Sequence, residues 1–255
     1  MADEPDPPGE TGVNREGPTQ RIRFGAITEV AASTIVLVYN VVINRAIPSI
    51  AYVPSNFAFA GLSVVGAHAL GVSLGDMGLR RDRVDSGIRV GLVAVALIAA
   101  AIVLGVALPA SRGYFEDARA LGGGIGHVLY EILVRIPLGT AVAEETIFRG
   151  ALLGLFLQRH SRLAATLISS LVFGFWHVLP TLDTIRANPA GSLVQGDALR
   201  TGGAVLVSVL VTAAAGCGFS WLRFRSDSLV APILAHASLN SFAFIAARLV
   251  TSSLG

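Results

Sequence analysis

Apolar residues recur along this chain in blocks of about 20, separated by short polar stretches, and a helix of that length crosses a hydrocarbon core of roughly 30 Å. The pattern predicts seven spans, at 24–46, 55–75, 87–109, 137–158, 162–180, 202–222 and 228–250. The expected fold class is therefore all-α, a polytopic transmembrane helix bundle of about seven spans, within a range of six to eight. Between the third and fourth blocks, 110–136 is less regular. Its part GHVLYEILVRIP sets Val128, Ile132, Leu133 and Ile136 to one side, which suits either an interfacial helix or the start of a longer fourth span. The first 20 residues, MADEPDPPGETGVNREGPTQ, are polar and rich in Pro, Gly and acids. They have no apolar core, so they read as a disordered cytoplasmic tail and not as a signal peptide, leaving 21–255 as the membrane-embedded domain.

Composition agrees with the pattern: 53% of the 255 residues are hydrophobic and 14% charged, with a mean hydropathy of +0.67. Soluble domains carry about 25% charged residues. The net charge is only +2 and all 19 basic residues are Arg, so no Lys-rich arm points to nucleic acid. The single cysteine, Cys217, excludes an intramolecular disulfide and any multi-cysteine metal site.

Arginine bias predicts orientation. One side carries Arg15, Arg21, Arg23, Arg80, Arg81, Arg83, Arg89, Arg159, Arg162, Arg223 and Arg225; the other carries Arg45, Arg112, Arg119, Arg135, Arg186, Arg200 and Arg248. Eleven against seven, with Arg149 inside the membrane, puts the N-terminus in the cytoplasm of a multi-pass plasma-membrane protein.

An ionisable group inside a span costs at least ~2.5 kcal/mol at the bilayer centre, so each needs a reason. Glu29, Asn40, Asn44 and His68 read as hydrogen-bonding packing residues, and His127 and Glu131 as solvated groups of an interfacial stretch. The fourth block is different. In AVAEETIFRG, Glu145 and Arg149 stand at i, i+4 with the acid first, a spacing that lets them pair. Glu144 points about 100° away and is left over. The fifth block supplies FGFWH, with Phe173 and His177 on one face, and the last supplies HASLN, with His236 and Asn240 likewise. An orphan Glu, two His and an Asn on three separate spans form the contents of a water-activating site.

These three segments resemble the EExxxR, FxxxH and HxxxN motifs of the CPBP family, the CAAX-type and bacteriocin-processing (Abi) intramembrane endopeptidases, in the family's order. The resemblance is clear over 137–245, places the family core at about 125–250, and extends weakly to GLRR at 78–81. It implies an endopeptidase in which Glu144 and His177 activate water, His236 and Asn240 stabilise the oxyanion, Glu145 and Arg149 give structural support, and Phe173 shapes the site. It also implies a pocket open to the cytoplasm. No cofactor is certain; if a metal is bound, it is zinc on Glu144, His177 and His236, with the fourth position open to water.

The expected partners are the lipid bilayer and a peptide or protein substrate; glycine-rich spans permit an oligomer without pointing to one. Two other readings remain beside the protease: a non-proteolytic immunity or scaffold-type protein of the same family, and a proton-coupled transporter. One strain is visible at this stage. At 1.5 Å per residue, the predicted span ends leave Glu144 and His177 roughly 10 Å from the depth of His236, a difference that shrinks if the fourth helix starts near 125.

Overall fold

A computed structural model describes residues 25–188 and 197–252; the expected tail at 1–20 lies outside them. Among the described residues there are seven helices long and apolar enough to span a membrane and no strand. They are α1 (Ala26–Arg45), α2 (Ser49–Ala69), α3 (Arg81–Ala107), α4 (Ile125–Leu157), α5 (Arg162–Ala187), α6 (Ala198–Ser226) and α7 (Val230–Ser252). The chain is a multi-pass helical membrane protein. We call the side where α1 begins the proximal face and the other the distal face.

The ambiguous stretch resolves as the longer span, with 125–136 forming the first turns of α4. Glu131, expected to be solvated, is buried and pairs with Arg135 at 3.1 Å. The reason is packing, since the turns around it lie against α2 and α7 instead of along the membrane surface.

Two stretches of α4, Glu131–Val142 and Thr146–Leu152, are wound as π-helix around the short α segment Ala143–Glu145. Pro137 sits inside the first. Its ring cannot donate to the ladder and would clash in a regular α turn, and a wider turn relieves both problems.

α4 is the central helix. Ile147, Phe148, Leu153 and Phe156 are almost wholly buried, while α3 keeps Leu92, Val93, Leu97 and Val103 exposed, as a lipid-facing surface should. α5 breaks at His177, between Arg162–Trp176 and Val178–Ala187. Pro180, in the first turn of the second part, has no N–H to continue the ladder from the first.

The proximal face is built by residues 70–80 folding inward. Val72 and Met77 are fully buried. Leu229 N–H donates to Gly78 O at 3.0 Å, and the Arg223 guanidinium donates to Asp76 O. Gly78 has a φ of +76°, a conformation glycine adopts without strain. The turn into α7 therefore rests on this loop, level with Gly150, where an added methyl would come within 3.3 Å of Leu229. Gly150 lies seven residues before the end of α4, about 10 Å of helix. The depth mismatch expected from the sequence vanishes because α7 starts about that far inside the bundle and because α4 and α5 are both longer than the apolar pattern suggested.

Of the other polar residues, Glu29 reaches His160 at 3.0 Å in the loop after α4, whereas Asn44 bonds the Asn40 carbonyl of its own helix and His68 the Val72 carbonyl.

Candidate active site

Glu144 and Glu145 leave α4 from the α segment between its π stretches, and the angle between neighbours on a helix sends them to different partners. Glu145 is completely buried. Its Oε1 accepts from Arg149 Nη1 at 3.2 Å, the i, i+4 contact that the spacing allows, and from His236 Nδ1 at 2.7 Å. Arg149, also completely buried, lies over the ring of Phe173 at 4.1 Å and that of Phe219 at 5.2 Å. The guanidinium is thus held by one carboxylate and an aromatic cage. α6 passes close enough only because residue 216 is glycine: a Cβ there would stand 2.8 Å from Arg149 Nη2.

Glu144 points into a separate space. Its Oε1 accepts from Trp176 Nε1 at 3.0 Å. Its Oε2 is buried without a hydrogen-bond partner and lies 4.0 Å from His236 Nε2. A buried carboxylate oxygen with no partner is costly, and the costs are accepted where such an oxygen has work to do.

The two histidines present their Nε2 atoms for chemistry. His177 Nδ1 donates to Phe173 O at 2.8 Å. A carbonyl only accepts, so Nδ1 carries the proton and Nε2 has a free lone pair. The half-buried His177 ring stands edge-on to Phe173 at 4.5 Å, within electrostatic reach of Glu144 and His236. By the same logic His236 Nδ1 donates to Glu145, and Nε2 faces Glu144. The His236 ring stacks on Phe219 at 5.0 Å and meets Phe173 edge-on at 5.9 Å.

The structure thus gathers Glu144, Glu145, Arg149, Phe173, His177 and His236 around one point. Asn240 lies one turn farther along α7, where it lines a cavity of about 760 Å³ opening on the distal face. Farther out, the same cavity is lined by Arg119, Glu131, Arg135 and Asn188. On its rim, burial pushes the Asp117 carboxyl up, but hydrogen bonds from the Arg119 guanidinium and amide outweigh it and hold the group below the usual carboxylate range. The rim is charged at neutral pH.

Sequence reasoning missed Trp176 and Phe219. Trp176 had a signal: it sits inside FGFWH, and a buried indole N–H needs an acceptor, which the orphan Glu144 offers. Phe219 had none, being one aromatic among many apolar residues of α6.

Among the described residues no three His, Cys, Asp or Glu side chains are placed to hold a metal ion. His236 turns Nδ1 to Glu145 and His177 turns Nδ1 to the Phe173 carbonyl, outer-shell hydrogen bonds that zinc-binding histidines also make, so Glu144, His177 and His236 are the residues that would hold a zinc ion were one bound.

Trp176→Phe is expected to keep the fold and lower kcat with little change in KM. A hydrogen bond to a charged group is worth about 1.5–3 kcal/mol, roughly tenfold to a hundredfold in rate. Unchanged kcat would show that Trp176 does not orient Glu144.

Compared with known proteins, residues 127–242 match a family model described as type II CAAX prenyl endopeptidase Rce1-like. No curated protein and no solved structure gives a significant match. The matched region runs from the cavity wall at His127 through every motif residue to just past Asn240. Residues 127–242 therefore form an Rce1-like domain of the CPBP/CAAX protease family.

Proposed function

We propose that this protein is an intramembrane endopeptidase that hydrolyses peptide bonds of membrane-associated segments with water activated by Glu144 and His177. The observation that carries the reading is the free, buried Oε2 of Glu144, aimed at the space bounded by His236 Nε2.

Glu144 takes a proton from water as the oxygen attacks the scissile carbonyl, assisted by the free Nε2 of His177. The same proton then passes to the leaving amine, so the bond between carbonyl carbon and nitrogen breaks without a covalent enzyme intermediate. Asn240 donates its amide to the oxyanion from the cavity side. His236 can join it when Nε2 carries a proton, and Glu145 behind the ring is the counter-charge that the doubly protonated form needs. Glu145 and Arg149 hold the frame and touch no substrate.

The test is cleavage of quenched fluorescent peptides by the detergent-purified protein, with and without a strong zinc chelator. Cleavage that persists with chelator is expected. Cleavage lost to chelator and restored by zinc would replace the glutamate mechanism with a metal one. Folded protein that binds a partner peptide but cuts none of a broad library would favour the scaffold reading.

A further inference from the structure

The family match begins at residue 127, so α1 and α2 lie outside it. Toward lipid such helices need only apolar surface. Toward α4 and α5, however, they carry a half-buried Tyr39 and a buried Asn56, and these two side chains are bonded to each other.

We propose that Tyr39 and Asn56 are positioning residues for Glu144: with Trp176 they close a ring of contacts that fixes the carboxylate from its side chain and from its backbone at once. The effect of this ring on rate rests on the protease reading above.

Three observations carry this. First, Asn56 uses both ends of its amide. Its Nδ2 donates to Gly139 O at 2.9 Å, and its Oδ1 accepts from the Tyr39 hydroxyl at 2.9 Å. Gly139 stands five residues before Glu144, the span of one π turn, in the wide-wound stretch that leads into the Glu144 segment. The amide therefore anchors the turn from which the carboxylate leaves the helix.

Second, residue 139 is glycine where the approach demands it. A Cβ there would stand 2.9 Å from Val53 Cγ2 and 3.3 Å from the Tyr52 ring. A larger side chain would push α2 away and take Asn56 out of reach of the carbonyl. One residue on, Thr140 Oγ1 meets the Tyr52 hydroxyl at 3.3 Å, a second tie between α2 and the same turn.

Third, the ring returns to the carboxylate through aromatic contact. Tyr39 stacks on Phe59 at 3.8 Å and on Trp176 at 6.3 Å, with 27° between the latter planes. Trp176 Nε1 donates to Glu144 Oε1 at 3.0 Å. The hydroxyl bond sets the Tyr39 ring, that ring limits the tilt of the indole, and the indole holds one oxygen of Glu144 while Oε2 stays free. Loss of Asn56 loosens both ends together. The matched region 127–242 thus lacks two of the groups that aim its own carboxylate.

The experiment uses the detergent-purified full chain with Asn56→Leu, which removes both hydrogen bonds at similar volume, or Tyr39→Phe, which keeps the stacking and removes the hydroxyl alone. Each is expected to lower kcat by about two- to tenfold, the rate equivalent of one or two neutral hydrogen bonds, with KM and the thermal midpoint near wild type. Wild-type kcat in both overturns the proposal, and if Asn56→Leu does not fold, Tyr39→Phe decides alone. Combined with Trp176→Phe, which acts on the same carboxylate, the losses should come to less than their product; losses that multiply show independent groups and overturn the ring. Emission separates the ring from the protease reading. With Trp221→Phe, Trp176 is the sole tryptophan. Its emission maximum should shift with Asn56→Leu and with Tyr39→Phe, but not with the control Asn44→Leu, whose amide bonds a carbonyl of its own helix. Unshifted emission in the two ring variants, or an equal shift in the control, overturns the proposal. Where the emission shifts as expected and the wild type cuts no peptide, the ring stands and the failure belongs to the protease reading.

Discussion

Glu144→Gln is expected to reduce peptide cleavage by about 10²–10⁴-fold, the usual contribution of a positioned acid or base, while the protein inserts and purifies as wild type. Gln keeps the shape of the side chain, and its carbonyl oxygen can still accept from Trp176 Nε1, the bond now made to Glu144 Oε1 at 3.0 Å. What it loses is the ability of the second oxygen, free and buried at Oε2, to take a proton from water. The comparison therefore isolates proton transfer from packing. Cleavage at the wild-type rate would remove Glu144 from the chemistry, and a phenotype that survives alongside abolished cleavage would show that the protein acts through binding.

Arg149→Met is expected to be the most destabilising single change in the domain. It removes the cation from a carboxylate that is itself wholly buried, and breaking a buried pair from one side costs about 3–5 kcal/mol. Thermal unfolding in detergent should fall sharply or folded protein should be lost. The double variant Glu145→Gln, Arg149→Met takes both charges away and should recover much of the stability, because no uncompensated ion is left. Activity should stay low, since His236 loses the carboxylate that orients it at 2.7 Å. If Arg149→Met alone unfolds like wild type, the guanidinium does not hold the frame.

How much was legible in the sequence depended on which physical constraint each feature obeys. Span number followed from hydropathy because the bilayer leaves helices no other length to choose. The charged residues of α4, α5 and α7 stood out for the same reason: hydrocarbon makes an ion conspicuous, and the three motif segments do come together in the fold. Span ends were less legible. α4 starts near 125 with Glu131 and Arg135 inside it; these two ions pair with one another, but a hydropathy pattern counts each as unfavourable and cannot see the pairing, so the stretch reads as too polar for a span. The inward fold of residues 70–80 was hidden because a short loop with Gly, Asp and Arg reads as solvated, and only tertiary contact from Leu229 and Arg223 reveals that its backbone is buried work. The π winding of α4 was likewise invisible apart from Pro137. Trp176 could be inferred only after asking who satisfies Glu144.

The pairing of Glu145 with Arg149 inside one helix also bears on biogenesis. Synthesis runs from the N-terminus onward, so α4 reaches the membrane ahead of α5, α6 and α7, which carry Phe173, Trp176, Phe219 and His236. At that moment none of the later partners is in place, and a lone carboxylate or guanidinium would resist partitioning into lipid. Because the salt bridge spans only one turn, with three residues between its ends, α4 can neutralise these two charges on its own and wait in the bilayer until α5, α6 and finally α7 arrive to close the site around it.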